Sequence, residues 1–147
     1  MKNLDLNSTK IFSALMAGMN GRSHHKFIRE SLMPLTIENM GGHFPTMWGD
    51  GLFYSLCHYY EQQGDLMQDP EMCFLVVDNR KSLSEFEKLI IVPCSYQNAS
   101  LGIYEESISF MSGRTSIYLP IMHRQHISFA QIWMGNILQQ GFIGIES

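Results

Sequence analysis

Two strand-like runs separated by a short polar segment constrain the fold of this chain more than any other feature. Phe, Tyr, Cys and Leu dominate residues 52–61 and 71–78, and these residue types favour β-strands. Residues 62–70 between them are polar and rich in turn formers, so the pattern predicts a β-hairpin with a long tip. No helical pattern lies between the runs, which disfavours a parallel, doubly wound sheet.

Further strand patterns flank this hairpin. Strands are predicted from residue 33 to about 38, over residues 88–96, over residues 101–111 and over residues 115–119. Pro93 cannot donate a hydrogen bond to a β-ladder, so it indicates an edge strand or a bulge. Residues 40–51 contain Pro45 and several glycines and predict a loop.

Helical periodicity appears near both ends of the chain. Apolar residues recur at helical spacing over about residues 8–19, with Asn7 or Ser8 available as the N-cap. A longer helix is predicted over about residues 122–140, and Gly141 is well placed to end it.

The order helix, hairpin-linked strands, helix predicts an α+β two-layer sandwich. Its antiparallel sheet is expected to have about five to six strands within residues 33–119, with the N- and C-terminal helices on one face. Leu15, Trp133 and Ile137 are then expected in a shared core. A chain of 147 residues can bury one continuous core and would be cramped as two, so we predict a single domain over residues 1–147.

Charge and cysteine content exclude several classes of protein. The net charge of −4 is too acidic for general binding to phosphates and too weakly acidic for a DNA mimic. Three cysteines without a C-x-x-C pair suggest neither a disulfide framework nor a zinc ribbon, and they favour the cytoplasm. No stretch approaches the roughly 18 apolar residues of a membrane helix. We expect no membrane association and no cofactor.

Three segments carry a resemblance to a known family. The first includes His58, Gly64, Asp65, Met67, Asp69, Pro70, Glu71 and Phe74. The second includes Pro93, Tyr96, Asn98 and Gly102, and the third, in the closing helix, includes Trp133, Asn136, Gln140, Gly141 and Phe142. In this order they resemble a family of uncharacterised bacterial and phage-borne domains. The resemblance implies a single domain encoded on mobile genetic elements, and it implies no activity.

The hairpin tip holds the densest group of side chains suited to metal binding or acid–base chemistry: His58, Glu61, Asp65, Asp69 and Glu71. Carboxylate oxygens suit Mg²⁺ or Mn²⁺, and a histidine beside them could act as a base, so one hypothesis is a metal-dependent hydrolase or nuclease. The alternative is structural, because Asp-Pro-Glu is common turn chemistry. We expect the structural role, with these carboxylates accepting hydrogen bonds from backbone N–H groups of the tip.

Other groups of side chains offer weaker hypotheses. A Cys73–His58 nucleophile requires one particular hairpin register, which the sequence leaves open. His123 and His126 share the spacing of two metal ligands, but they are better explained as a solvated polar turn at a helix start. The basic patch at residues 22–29 could contact nucleic acid, although it is better explained as a solvated connection.

The leading hypothesis is a non-enzymatic accessory domain that binds another macromolecule, with protein favoured over nucleic acid. No complete catalytic set of residues is visible. Phe44, Met47 and Trp48 lie in the glycine-rich segment and are predicted to be exposed apolar anchors of the kind that interfaces use.

Overall fold

The computed structural model describes residues 1–111 and 114–144, and its centre is a six-stranded antiparallel sheet. The strands follow one another in chain order: β1 (His24–Phe27), β2 (Leu35–Thr46), β3 (Gly49–Gln62), β4 (Asp65–Asp78), β5 (Leu89–Asn98) and β6 (Ile103–Glu106). The remaining elements are two helices and a hairpin: α1 (Leu6–Gly18), α2 (Pro120–Gln139), β7 (Ile108–Met111) and β8 (Arg114–Tyr118). The predicted α+β fold is confirmed.

Both helices pack on the same face of the sheet, as predicted. Leu15, Trp133 and Ile137 lie in one buried cluster with residues of β2 to β5 that alternate toward the helices. Phe12 is at its centre and makes edge contacts with Tyr54 and Phe74, with ring centroids 6.1 and 5.0 Å away. Full burial of each large apolar side chain contributes about 1.5–3 kcal/mol, so this layer holds the helices on the sheet.

The helix ends show which local signals were correct. Asp5, rather than Asn7 or Ser8, caps α1, because its carboxylate accepts a hydrogen bond of 2.8 Å from the Ser8 N–H. Gly141 follows α2 with φ +81°, as predicted. The next residue, Phe142, donates its N–H back to the Ile137 carbonyl, a Schellman arrangement that satisfies the helix end.

The prediction of one strand over residues 101–111 is wrong, because the chain leaves the sheet at Ser107. This residue is fully buried, donates its N–H to the Cys94 carbonyl and accepts from the Leu119 N–H. β7 therefore lies on the second face of the sheet, where β7 and β8 pair. Phe110 packs there against Phe44 and Phe53, with ring centroids 4.5 and 5.2 Å away.

The glycine-rich segment is a hairpin rather than the predicted loop. β2 and β3 continue to Thr46 and Gly49, leaving a two-residue turn. Register shifts around Gly41 bend β2 and turn Phe44 onto the second face, where it is buried. Of the three predicted anchors, Met47 is 88% exposed, Trp48 is half-buried and Phe44 belongs to the core.

The tip of the β3–β4 hairpin is tight, so the predicted long tip is also wrong. The turn consists of Gln63 and Gly64, both with positive φ, which suits a two-residue hairpin. Residues 65–70 continue strand β4 up to this turn. We attribute their polar character to exposure of this end of the hairpin rather than to a loop.

Two further regions complete the sheet. The basic patch forms the edge strand β1 where a connection was predicted, and the half-buried Phe27 packs onto Gly18. Pro93 predicted an edge strand or a bulge, and the structure has a bulge, since Cys94 is the extra residue between two neighbouring β4–β5 pairs. Within the described residues, neither helix combines the length and apolar character needed to cross a membrane.

A substitution at Gly51 tests the packing of side chains against the sheet. A Cβ atom there would lie 2.5 Å from Leu75 Cδ1, so Gly51→Ala should lower the free energy of unfolding by about 1–3 kcal/mol through overpacking. Gly135→Ala is the control, since a Cβ on this exposed α2 residue meets no atom within 4 Å and should raise stability by up to about 1 kcal/mol. Urea unfolding of both variants checks this. Equal changes in the free energy of unfolding for the two variants would contradict the close contact between Gly51 and Leu75.

Candidate functional site

One extra residue in β4 brings together two side chains that regular alternation would separate. β3 and β4 pair regularly from Leu52 to Cys57, and the register then shifts, because Cys57 lies opposite Glu71 while Tyr59 lies opposite Gln68. Asp69 and Pro70 therefore both lie opposite His58. Bulges of this kind redirect side chains. Here the bulge brings Asp69 to the helix side of the sheet, next to His58.

A cavity of about 270 Å³ lies between this bulge and α2, and we call it the His58 cavity. His58 and Trp133 are its buried side chains, Asp69 and Phe129 are half-buried, and Asn136 and Gln140 are exposed. The residues that line it are Leu32, Met33, His58, Asp69, Pro70, Phe129, Trp133, Asn136 and Gln140. It thus combines aromatic rings, a carboxylate, an imidazole and two amides.

The protonation state of His58 follows from its neighbours. Nδ1 lies 3.1 Å from the Met33 carbonyl and 3.3 Å from the Pro34 carbonyl, and since carbonyls only accept, Nδ1 carries the proton. Burial lowers the pKa of His58, although the two carbonyls and Asp69 act in the opposite direction. The neutral ring leaves Nε2 as a hydrogen-bond acceptor.

Asp69 is held by a side chain rather than by the predicted backbone N–H groups. Asn98 Nδ2 donates to Asp69 Oδ1 at 2.9 Å, and Asn98 Oδ1 accepts from the Ser100 hydroxyl and the Leu101 N–H. The amide of Asn98 is thereby fixed, and it fixes the carboxylate in turn. The second oxygen of Asp69, Oδ2, is left for another donor.

Trp133 contributes a buried indole ring to the lining of the cavity. Its side chain is 5% exposed, and its indole Nε1 is buried without a hydrogen-bond partner among the described residues. A buried polar group that makes no hydrogen bond costs about 1–3 kcal/mol. Because this nitrogen is also shielded from solvent, it is not among the groups that the open cavity presents to a ligand.

The structure does not assemble the predicted acidic cluster. Glu71 lies on the second face, where it accepts a hydrogen bond of 2.7 Å from the Ser55 hydroxyl. Glu61 and Asp65 are exposed at the hairpin end. No group of three histidine, cysteine, aspartate or glutamate residues in the described parts of the chain could hold a metal ion.

The thiols are also separated from His58. Cys57 and Cys73 lie with Glu71 on the second face, so the hypothetical Cys73–His58 pair does not form. Burial, with nearby Glu71, raises the pKa of Cys57 to about 12, and burial likewise raises that of Cys73. At neutral pH both are protonated and poorly nucleophilic.

A serine–histidine–glutamate arrangement, with the serine and the histidine buried, lies elsewhere. His126 Nδ1 is 3.0 Å from Ser107 Oγ, and its Nε2 is 3.0 Å from Glu105 Oε1. This connectivity resembles a hydrolytic triad, but Ser107 is fully buried and no substrate can reach its hydroxyl. The prediction of a solvated turn at His123 and His126 is wrong, since both rings are buried against other segments.

Sequence reasoning missed most of the His58 cavity. It placed Trp133 in the core, and it connected neither Trp133 nor Asn136 and Gln140 with His58 or Asp69. The cavity nevertheless joins the three segments that carry the family resemblance: the first supplies His58 and Asp69, the second supplies Asn98 behind Asp69, and the third supplies the α2 residues. Only the fold shows this convergence.

Comparison with known proteins identifies a family. The sequence model of the family described as "Domain of unknown function (DUF6908)" matches residues 9–143, so the chain belongs to this family. No curated protein matches the chain significantly, and neither does any solved structure. The matched residues include the entire His58 cavity.

His58 should make stability depend on pH. Its pKa in the folded protein lies below the ordinary value of 6.5, so as pH falls from 7 the unfolded chain takes up a proton first and the free energy of unfolding decreases. His58→Gln should therefore show a smaller decrease between about pH 7 and 5. Exposed His43→Gln is the control and should match the unmodified protein. Denaturant unfolding over this range measures the effect, and equal pH dependence in both variants would refute it.

Proposed function

We propose that this family member is a non-catalytic binding domain that receives a polar side chain of another protein in the His58 cavity. The observation that carries the proposal is a pocket with unused hydrogen-bond acceptors, His58 Nε2 and Asp69 Oδ2, beside the ring of Trp133. Concave sites with aromatic walls and a few converging polar groups are typical of ligand binding.

The size and surroundings of the cavity favour a protein partner over a free small molecule. Its volume is below the roughly 300–1,000 Å³ of most small-molecule sites. Exposed Leu32 and Met33 line it and also line a wider groove of about 740 Å³ that continues along β2 and β3 to Tyr60 and Leu66. A small pocket beside a groove of mixed character, which Lys26, Glu38 and Glu61 also line, suits one anchoring side chain within a larger protein interface.

The chemistry of the described residues favours binding over catalysis. Ser107 is fully buried, and the raised pKa values of Cys57 and Cys73 keep their thiols protonated at neutral pH. His58 and Asp69 are the acid–base groups of the cavity, and no nucleophilic side chain lines it. The role as an accessory domain of a mobile genetic element rests on the family resemblance alone. The three free cysteines support a cytoplasmic location.

Selection from a displayed peptide library tests the binding role. Peptides enriched on the unmodified domain should lose about tenfold or more in affinity for the double variant Asn136→Ala/Gln140→Ala, because both residues line the opening of the cavity. The control is Gln125→Ala/Gln139→Ala, which removes two exposed amides of the same helix outside the cavity.

Calorimetric titration of the enriched peptides gives these affinities. Loss of binding to the first double variant, with normal binding to the second, supports the proposal. A library that yields no enriched peptide contradicts it, and so does a set of peptides that bind both variants equally.

A further inference from the structure

We infer that the His58 cavity accepts the guanidinium group of an arginine side chain, an inference that rests on the binding role proposed above. Among the nine residues that line the cavity, Asp69 is the one that carries a formal charge, since His58 is neutral. A ligand group that binds beside this carboxylate displaces water from it and so desolvates its charge. A cationic group compensates for that loss, whereas an anionic group is repelled.

The acceptors of the cavity favour a planar donor group. Asn98 occupies Asp69 Oδ1 and holds the carboxylate in place, so Oδ2 is available together with His58 Nε2. Gln140 and Asn136 add amide oxygens at the opening. Guanidinium carries five N–H donors in one plane and can reach several separate acceptors, whereas an ammonium group presents a compact charge.

The aromatic residues of the cavity support the same class of ligand. Phe129 and Trp133 line it with ring centroids 6.1 Å apart. Guanidinium is more weakly hydrated than ammonium and packs well on aromatic faces, so it loses less on entering such a site. Arginine is also among the residues enriched at the centre of protein interfaces.

The form of the probe follows from the proposed partner. An arginine residue in a protein has a peptide bond on either side of its Cα atom. The suitable probe is therefore N-acetyl-arginine-N-methylamide rather than guanidinium ion alone.

The test compares this probe with its citrulline and lysine counterparts. Citrulline has nearly the same shape and replaces the charged guanidinium group with a neutral urea group. NMR spectra of the ¹⁵N-labelled domain report binding through the Trp133 indole signal, assigned with Trp48→Phe, and through the His58 ring. The arginine probe should shift both signals and saturate. The citrulline and lysine probes should bind about tenfold more weakly or worse.

Variants test the role of Asp69 directly. Asp69→Asn keeps the shape of the side chain and should weaken arginine binding by about tenfold or more. Asp50→Asn makes the same charge change at an exposed position at the other end of β3 and should bind as the unmodified domain does. Circular dichroism confirms that both variants remain folded. Equal or tighter binding of citrulline, unchanged binding by Asp69→Asn, or no response to arginine up to the solubility limit overturns the inference.

Failure of this inference is distinguishable from failure of the binding role. Enriched peptides can be resynthesised with each arginine changed to citrulline. If their binding still requires Asn136 and Gln140 but not the guanidinium groups, the inference is wrong and the binding role stands. If binding does not require Asn136 and Gln140, both are wrong.

Discussion

The bulge in β4 is the constraint on which the candidate site depends. Regular pairing would place Asp69 on the second face of the sheet, two residues from Glu71 and on the same side. The extra residue instead places Asp69 opposite His58, beneath α2. Asn98 then fixes the carboxylate from β5. One local irregularity thus separates two neighbouring acidic residues onto opposite faces and gives each a different environment.

The two faces of the sheet are covered in different ways, and this explains where an open site remains. α1 and α2 cover the helix side as far as the bulge, where the cavity opens at the end of α2. On the second face, the break at Ser107 brings β7 over Phe44 and Phe53. Also on this face, the Ser55 hydroxyl donates a hydrogen bond to the Glu71 carboxylate.

Local patterns in the sequence predicted the elements that depend on neighbouring residues. Helical periodicity identified both helices, and Gly141 marked the end of the second, because these signals arise within one turn of chain. The break at Ser107 was missed because it depends on a hydrogen bond to Cys94, in a different strand. The tight turn at Gln63 and Gly64 was missed because an exposed strand end has the composition of a loop.

The cavity could not be predicted for the same reason. Its residues come from three segments that lie far apart in the chain, and their meeting depends on the β3–β4 register, which alternation alone leaves undetermined. The acidic residues looked like one cluster because they are close in sequence. In the fold, Asp69 shares a site with Trp133 and Gln140, whereas Glu71 lies on the other side of the sheet.

Nuclear Overhauser effects from the Asp69 β-protons test the central claim most directly, because they report which face of the sheet this side chain occupies. The account predicts cross-peaks from these protons to the rings of His58 and Phe129 on the helix side. Cross-peaks to the ring of Tyr59 instead, the residue that regular pairing would place opposite Asp69, would show that Asp69 lies on the second face. The His58 cavity would then lose its one charged group.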